Sequence, residues 1–438
     1  MRSSLTRRRA LTLGASLATF PVLAACGARQ STSTTNPALV AGEMAPEIEF
    51  YHQHGAEFID NLMAIYHQQQ SRVRVRGVVV TGGYEGLLQK VQLLASAGTP
   101  PAVAQTGFTY TRFMAKRIPM VPAADFISAE RFDTSDIFPP MLKLGQDDKG
   151  KQWGLPFAVS TPIFYYNANM LEQIGLKPDG AARTWDELRA QAQKITRGDT
   201  KGVAFNHTIT GNWTFQAMVE CAGGRMVTPD GLKCQFQQEP GIRSLTYWTD
   251  LVLRDASAPP ELYTGAANLF YTGKLAYINT TTASLDGIRK SIQFPADQLR
   301  TTLFPTDGAK PRRVPAGGNN VFVLGKTAPE QRAGWDLLKF LVSPVGTSKM
   351  SQTSGYMAVR KSTLDKPELM GTYLKENPIA RTTYDQVKDM VPWHEFETSD
   401  AVQVRTIILN AQIAALKGEK TPRQALEEAA SAVQPLLG

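Results

Sequence analysis

The uncharged stretch of residues 159–167, VSTPIFYYN, concentrates hydroxyl groups at a point where a strand is expected to enter a core. It begins with a Ser-Thr-Pro step and contains two adjacent tyrosines, Tyr165 and Tyr166. Hydroxyls both donate and accept hydrogen bonds, and buried ones require polar partners. Neighbouring residues of a strand point to opposite faces, so at least one tyrosine is expected to be an ordinary core or surface residue.

Known catalytic motifs are absent from the sequence, which contains no GxSxG, HExxH or Walker loop and no GxGxxG between strand and helix. His52 and His54 are two residues apart on a predicted strand and therefore share a face. They could form half of a metal site, but no clear third ligand accompanies them, which favours surface or cleft-edge histidines. We expect no metal, no cofactor and no enzymatic activity. An exported hydrolase and a structural surface protein are the alternatives from other classes.

Two cysteines, Cys221 and Cys234, lie in the body of the chain on either side of AGGRMVTPDGLK. The Pro-Asp-Gly step is typical of a turn between two short strands, so a hairpin could bring its flanks together. In an exported protein such a pair is expected to form a disulfide. The alternative is two buried thiols, and zinc is not expected because no CxxC or suitably spaced histidine is present.

The N-terminus has the pattern of an export signal. Arginines precede an uncharged apolar run that ends in Leu-Ala-Ala-Cys, so residues 1–25 are predicted to be a signal peptide. The last step resembles a bacterial lipobox, in which Cys26 would become the acylated first residue; a plain signal peptide is the alternative. The adjacent arginines favour twin-arginine export. Residues 26–45 are rich in Ser, Thr, Gly and Pro, which predicts a flexible tether.

Length and charge limit the function classes. With 438 residues the chain is expected to form two domains. The net charge is +8, but four of the arginines stand within the first nine residues, so the mature chain is only mildly basic. No block of lysine and arginine is long enough to indicate nucleic-acid binding, whereas binding of a small anion is compatible with this charge.

The secondary-structure pattern alternates between strands and helices. EIEFYHQ and VRVRGVVV read as strands, FIDNLMAIYHQQ and YEGLLQKVQLLASAG read as helices, and PAVAQTGF reads as a third strand. Thr184 and Glu187 form a capping box, and later helices are predicted at GWDLLKFLV and TPRQALEEAASAVQPLL. The βαβα order indicates an α/β fold with a mostly parallel sheet.

Together, these stretches resemble a family. YHQHG, GGYEGLLQKVQLLASAGTPPAV, LPFAVSTPIFYYNANMLEQIGL with TWDEL, LFYTGKLAYI, PAGGNNVFVL, KFLVSP, TSGYMAV and AVQVRTII follow one another along the chain. In this order they resemble the bacterial extracellular solute-binding proteins of family 1. The likeness is strongest to the glycerol-3-phosphate-binding members of that family, in STPIFYYN, GGNNVFVL, SGYMAV and VRTII.

The resemblance implies two α/β lobes of the type II periplasmic-binding-protein kind, joined by hinge strands with the ligand cleft between them. The expected N-terminal lobe comprises residues 46–158 and 299–338, and the expected C-terminal lobe comprises residues 159–298 and 339–438. STPIFYYN would be the first hinge crossing, apolar enough to pack while offering hydroxyls to a ligand. A monomer that delivers a small polar solute to the permease subunits of an ABC importer is implied.

The resemblance also implies a binding site. Its positions correspond to Tyr84, Ser160, Thr281 or Thr282 in a threonine run, Gly317, Gly318, Tyr356 and Arg405. The chemistry fits a phosphate, because arginine supplies a planar donor fork and glycines let backbone N–H groups approach closely. For Arg405 the alternative is a surface salt bridge, and for the glycine pair it is a plain turn. Trp213 could stack on a ligand, with core packing as its alternative.

Phe108 departs from the pattern of the members that bind glycerol-3-phosphate. Those proteins carry a glutamate here that accepts ligand hydroxyls, and the neighbouring threonines cannot replace its two acceptors. The phosphate end of the site is therefore expected to be retained and the glycerol end to be altered. Glycerol-3-phosphate or a glycerophosphodiester such as glycerophosphocholine is the expected ligand. A sugar or oligosaccharide is the main alternative, since the family at large binds mostly carbohydrates.

Overall fold

The computed structural model describes residues 36–437, except 208–211, 261–262, 395, 397 and 399. The predicted signal peptide and the acylation site at Cys26 lie outside the described residues. None of the described helices combines the length and the apolar character that a membrane span requires.

The described strands form two larger sheets and one small one. The strands are β1 (Glu47–His52), β2 (Arg74–Val79), β3 (Val103–Gly107), β4 (Leu155–Ser160), β5 (Pro162–Asn167), β6 (Lys201–Ala204), β7 (Leu275–Thr281), β8 (Leu299–Thr302), β9 (Val314–Pro315), β10 (Gly317–Val323) and β11 (Met390–Val391). The five-stranded sheet has the order β2-β1-β3-β10-β4, the four-stranded sheet has the order β6-β7-β5-β8, and β11 pairs with β9. Strands β1, β2 and β3 pair in parallel, as the βαβα pattern predicts, whereas β10 lies antiparallel between β3 and β4.

Helices surround the two larger sheets. They are α1 (Ala56–Gln69), α2 (Gly83–Ser96), α3 (Thr111–Arg117), α4 (Ala123–Glu130), α5 (Pro139–Lys143), α6 (Ala168–Glu172), α7 (Trp185–Ile195), α8 (Trp213–Cys221), α9 (Glu239–Thr249), α10 (Tyr263–Tyr271), α11 (Leu285–Ser291), α12 (Ala328–Leu341), α13 (Pro344–Ser354), α14 (Thr372–Glu376), α15 (Pro378–Asp385), α16 (Ala401–Leu416) and α17 (Pro422–Val433). The predicted capping box forms at the start of α7, where the Thr184 side chain accepts from the Glu187 backbone N–H. We call the five-stranded sheet with its helices the first lobe and the four-stranded sheet with its helices the second lobe.

The chain crosses between the two larger sheets at Thr161, because β4 ends at Ser160 and β5 begins at Pro162. Every residue of both strands is buried. The two adjacent tyrosines of β5 join different apolar clusters on the two faces of the second sheet. The Tyr165 hydroxyl donates to the Thr281 carbonyl oxygen at 3.1 Å and the Tyr166 hydroxyl donates to the Pro178 carbonyl oxygen at 3.0 Å. Both tyrosines are therefore core residues.

Two crossings differ from the boundaries expected at residues 299 and 339. Strand β8, expected in the N-terminal lobe, pairs with β5 in the second sheet. Phe340 and Met350, expected in the C-terminal lobe, are buried in the core cluster of the first lobe. The reason is that the apolar face of α12 continues past residue 339 and packs on the first sheet together with α13.

The segment before β1 is packed rather than free from residue 39 onwards, although a flexible tether was expected up to residue 45. Leu39, Val40 and Met44 pack against the core of the first lobe. The Ala45 N–H donates to the Pro329 carbonyl oxygen at 3.0 Å. The apolar side chains between the tether's polar residues account for this difference, because they gain by leaving water.

The expected disulfide between Cys221 and Cys234 is wrong, because both are free, buried thiols. The turn does form a hairpin, but it pairs Cys234 with Val227, while Cys221 lies at the end of α8. The Cys221 thiol donates to the Arg313 carbonyl oxygen at 3.2 Å. Burial raises the pKa of Cys221 to about 12 and that of Cys234 to about 11, so both thiols stay protonated near neutral pH.

Candidate functional site

The glycine pair at the start of β10 lies at the junction of the two lobes. Gly317 pairs with Ser160, and a Cβ atom on it would lie 2.9 Å from both the Ser160 Oγ and the Trp213 Cζ2. Gly318 has a φ of +117°, and its Cβ would lie 1.8 Å from the Ala158 carbonyl oxygen. These positions belong to a buried strand, not to a plain turn, and only glycine permits such close approaches.

Trp213 is the first residue of α8 and brings the second lobe against this glycine pair. Its side chain is buried, but its indole N–H has no hydrogen-bond partner among the described residues. Trp393, which sequence analysis did not single out, lies 5.9 Å from Trp213 between ring centroids, and its indole N–H also lacks a partner in the described part of the chain. Buried donors without partners are rare, so the two indoles are candidates to donate to a bound polar molecule.

Tyr84 and Tyr356 form a hydrogen-bonded pair on the first lobe. The Tyr84 hydroxyl also accepts from the Asn319 Nδ2 at 2.9 Å, and the His54 Nε2 lies 3.5 Å from the same amide nitrogen. Burial raises the pKa of both tyrosines, so their hydroxyls are neutral. Asn319 was missed by sequence analysis, although its place directly after the glycine pair is a signal that could have identified it.

The two histidines of YHQHG differ in position. The His54 ring lies 5.8 Å from the Tyr356 ring at the site, and the His52 Nδ1 lies 3.1 Å from the His54 carbonyl oxygen. Burial, and then the charge of His52, lowers the pKa of His54 to about 4; burial also lowers the pKa of His52 to about 4. Within the described residues, no cluster of three His, Cys, Asp or Glu side chains could hold a metal ion.

Thr281 and Thr282 lie at the end of β7 beside the crossing at Thr161. The Thr282 Oγ accepts from the Thr161 backbone N–H at 3.3 Å, and the Thr281 Oγ accepts from the Ala283 backbone N–H at 3.2 Å. Both hydroxyls therefore hold the local backbone. The loop before Tyr356 lies against them, since a Cβ on Gly355 would be 3.3 Å from the Thr282 carbonyl oxygen.

Arg405 lies on α16 in the second lobe, and its side chain reaches the first lobe. Its Nη2 lies 3.1 Å from the Glu85 Oε2, and its Nη1 donates to the Tyr110 hydroxyl at 3.3 Å. The side chain is only 9% exposed. The alternative of a salt bridge is thus correct in kind, but the pair is largely buried on the arginine side and joins the two lobes. Sequence analysis identified neither partner.

The residues expected at the site are connected by individual contacts on either side of the junction between the lobes. They are Tyr84, Phe108, Ser160, Trp213, Thr281, Thr282, Gly317, Gly318, Tyr356 and Arg405. Phe108 is buried, and its Cε2 would lie 3.1 Å from a Cβ on Gly318. Phe108 and Tyr110 belong to the same 3-10 turn, which connects the glycine pair to Arg405. Neutral hydroxyls, indole donors and one guanidinium suit noncovalent binding of a polar solute.

Comparisons with known proteins agree with this geometry. Residues 61–382 match the family model described as bacterial extracellular solute-binding protein. The chain is 26% identical over 408 residues to the sn-glycerol-3-phosphate-binding periplasmic protein UgpB of Rhizobium meliloti, covering 88% of this chain and 93% of that protein. It is 25% identical over 376 residues to UgpB of Escherichia coli K12, covering 81% of this chain and 84% of that protein.

Two solved structures show the same fold. UgpB from Mycobacterium tuberculosis in complex with glycerophosphocholine has a TM-score of 0.77 and 22% identity, and the match covers 91% of this chain and 98% of that chain. The cyclic alpha-maltosyl-1,6-maltose binding protein from Arthrobacter globiformis has a TM-score of 0.75 and 22% identity, with coverages of 90% and 99%. The prediction of a two-lobed α/β fold is confirmed.

Proposed function

The chain belongs to the family of bacterial extracellular solute-binding proteins, and we propose that it captures glycerol-3-phosphate or a glycerophosphodiester for an ABC importer. The solute would bind between the two lobes and be delivered to the permease subunits by a monomeric protein without enzymatic activity. Similarity to the UgpB proteins, whose names specify glycerol-3-phosphate, supports this ligand class.

The observation that carries the proposal is the place of Arg405. A guanidinium that is 9% exposed and reaches from one lobe to the other is positioned to meet an anion held between them. The backbone at the glycine pair and the indole N–H of Trp213, which has no partner in the described part of the chain, would complete the set of donors. Phe108 favours a diester over glycerol-3-phosphate, because a buried ring can pack against methylene and methyl groups but offers ligand hydroxyls no hydrogen-bond partner.

A sugar or oligosaccharide is the second candidate. Glu85 already neutralises the charge of Arg405, the only guanidinium that we assign to the site. This arrangement would suit an uncharged ligand. Trp213 and Trp393, whose N–H groups have no partner among the described residues, are also suited to stack on and bind a sugar. A protein of the same fold binds a cyclic maltosyl-maltose, according to its description.

Calorimetric titration of glycerol-3-phosphate, glycerophosphocholine and maltose tests the ligand class. We expect heat with both phosphate compounds, tighter binding of the diester, and a rise in melting temperature once ligand exceeds its Kd. Small-angle scattering should give a smaller radius of gyration when the ligand is bound, because the closed form binds it better. Binding of maltose with no response to either phosphate compound would replace the anion proposal with the carbohydrate one.

The proposal includes export and a lipid anchor on Cys26, which would hold the protein at the cell surface or in the periplasm. Family membership supports export, and the Leu-Ala-Ala-Cys step supports the anchor. Detergent phase partitioning of wild type and Cys26→Ala tests this part. We expect only the wild type in the detergent phase, and identical partitioning of both into the aqueous phase contradicts the anchor.

A further inference from the structure

The pair formed by Glu85 and Arg405 brings together two opposite charges from the two lobes. Glu85 stands in the first turn of α2, directly after Tyr84, and Arg405 approaches it from α16. The two side chains differ in burial, with 38% of the Glu85 side chain exposed against 9% of Arg405. A solute that enters between the lobes therefore meets a positive group from the second lobe and a negative group from the first.

A purely anionic ligand is penalised by this arrangement. To bind Arg405 at closest approach it has to displace the Glu85 carboxylate, which then faces the ligand's own negative charge. Like charges at such distances repel, and a charged group that loses its partner near a buried site costs binding free energy. Glu85 therefore opposes binding of a simple phosphate monoester or of a diester with an uncharged head group.

A zwitterionic ligand avoids this penalty. Its phosphate can take the place of the carboxylate at Arg405 while its cationic group takes the place of the guanidinium at Glu85, so that both side chains keep a partner of opposite charge. An aromatic ring lies close to this pair, since Tyr110 accepts a hydrogen bond from Arg405 and shares a 3-10 turn with Phe108. Such rings attract ammonium groups through their negative faces.

We propose that Glu85 is a specificity-determining residue that selects zwitterionic phosphodiesters, with Arg405 binding the phosphate and Glu85 facing the cationic head group. This inference rests on the proposed function and adds the charge type of the head group to it. It places glycerophosphocholine and glycerophosphoethanolamine above diesters of the same phosphate charge whose head group carries only hydroxyls.

The test is calorimetric titration of glycerophosphocholine and glycerophosphoglycerol into wild type and Glu85→Gln. We expect the wild type to prefer the choline compound by roughly tenfold, as one screened charge contact with a ring contribution can supply. In Glu85→Gln the affinity for the choline compound should fall by about tenfold, while that for glycerophosphoglycerol should rise by a few-fold because the competing carboxylate is gone. Affinity changes of opposite sign for the two diesters would show that Glu85 distinguishes their head groups.

Glu239→Gln is the matched control. Glu239 also stands in the first turn of a helix and pairs with an arginine, Arg423, at 3.3 Å, but both side chains are exposed and both belong to the second lobe. We expect it to change neither affinity. If Glu85→Gln shifts both ligands in the same direction, Glu85 acts only as a bridge between lobes, and the inference is overturned while the proposed function stands. If the wild type binds neither diester, the inference fails, and the proposed function fails with it when glycerol-3-phosphate also gives no heat.

Discussion

The site between the lobes and the cavity beside β8 are two polar regions with opposite properties. The cavity has a volume of about 710 Å³, and it is lined by Arg183, Arg289, Arg300 and several carboxylates. No ion pair joins these three arginines to any carboxylate in the part of the chain that the structure describes. At the site between the lobes, Arg405 is instead held by partners from the opposite lobe.

The difference shows that volume alone does not identify a binding site. Water readily satisfies exposed charges around an open cavity, so little binding free energy is stored there. The buried indole N–H of Trp213, which has no partner among the described residues, is a costly feature that persists only where the surrounding structure supports it. A ligand that accepts from such a donor removes part of that cost, which is why we propose that binding occurs between the lobes.

The largest effect is expected from Gly318→Ala. A Cβ there would lie 1.8 Å from the Ala158 carbonyl oxygen, and the φ of +117° is unfavourable for any L side chain. Strand β10 lies between β3 and β4, and every residue of β4 is buried, so the surrounding packing opposes a movement that would relieve the clash. We expect the free energy of unfolding to fall by more than about 3 kcal/mol, measured by urea denaturation, with loss of ligand binding.

Gly231→Ala is the control for the backbone contribution alone. Gly231 also has a positive φ, +76°, but a Cβ would meet no atom within 4 Å. Its cost should be about 1 kcal/mol, with ligand binding retained. Equal urea midpoints for Gly318→Ala and wild type would show that the first sheet tolerates the side chain. The claim that only glycine fits at position 318 would then have to be rejected.

The sequence predicts the local parts of the fold and of the site better than the distant ones. The parallel start of the first sheet follows from βαβα order, and the role of the glycine pair follows from close approach, which only glycine allows. The pairing of Glu85 with Arg405 could not be predicted, because 320 positions separate the two residues along the chain. They meet only because the two lobes lie against each other in the folded protein.

The failed disulfide has a similar cause. A Pro-Asp-Gly turn fixes the hairpin, but register decides which residues face each other, and here Cys234 faces Val227. The boundaries of the lobes depend on long-range packing as well. Whether α12 continues across residue 339 is decided by the apolar surface of the first sheet, which lies far away along the chain.

The second-largest effect is the loss of ligand affinity that we expect from Arg405→Ala. Arg405→Ala should weaken binding of glycerophosphocholine by roughly tenfold to several hundredfold, because charge-assisted hydrogen bonds contribute about 1.5–3 kcal/mol each. A neutral sugar should be affected less. Arg423→Ala, which removes an exposed arginine paired with Glu239, is the matched control and should leave both affinities unchanged. An equal loss of affinity for maltose in Arg405→Ala would argue against an anion at this position.

A third and smaller effect is the dependence of stability on pH through His54. Its pKa is lowered from 6.5 to about 4 in the folded state, so the unfolded state binds more protons between these values. Stability is therefore complete above about pH 6.5 and falls as the pH decreases towards about 4. Burial also lowers the pKa of His52 to about 4 and lowers that of His67 and His207, so these residues contribute in the same direction.

We expect His54→Gln to reduce the slope of unfolding free energy against pH between about 6.5 and 4, by less than about 1.4 kcal/mol per pH unit. Urea denaturation at a series of pH values measures this slope. Above pH 7 the histidine is neutral in both states, so wild type and variant should show parallel curves there. An unchanged slope at low pH would mean that His54 is well hydrated and is not part of the buried wall beside Tyr356.

The smallest effect is expected at the cavity beside β8. The Arg300 Nη1 donates to the Leu299 carbonyl oxygen at 3.0 Å, and this bond is local to one edge strand of the second sheet. Arg300→Ala should change the affinity for glycerophosphocholine by less than about twofold, as is usual for a surface position away from a binding site. Arg183→Ala, on the same cavity, provides a second variant in case the first disturbs β8. If either substitution weakens binding as strongly as Arg405→Ala while the melting temperature is unchanged, the anion binds beside β8. The cavity beside β8 would then be the site, and the buried groups between the lobes would serve only to join them.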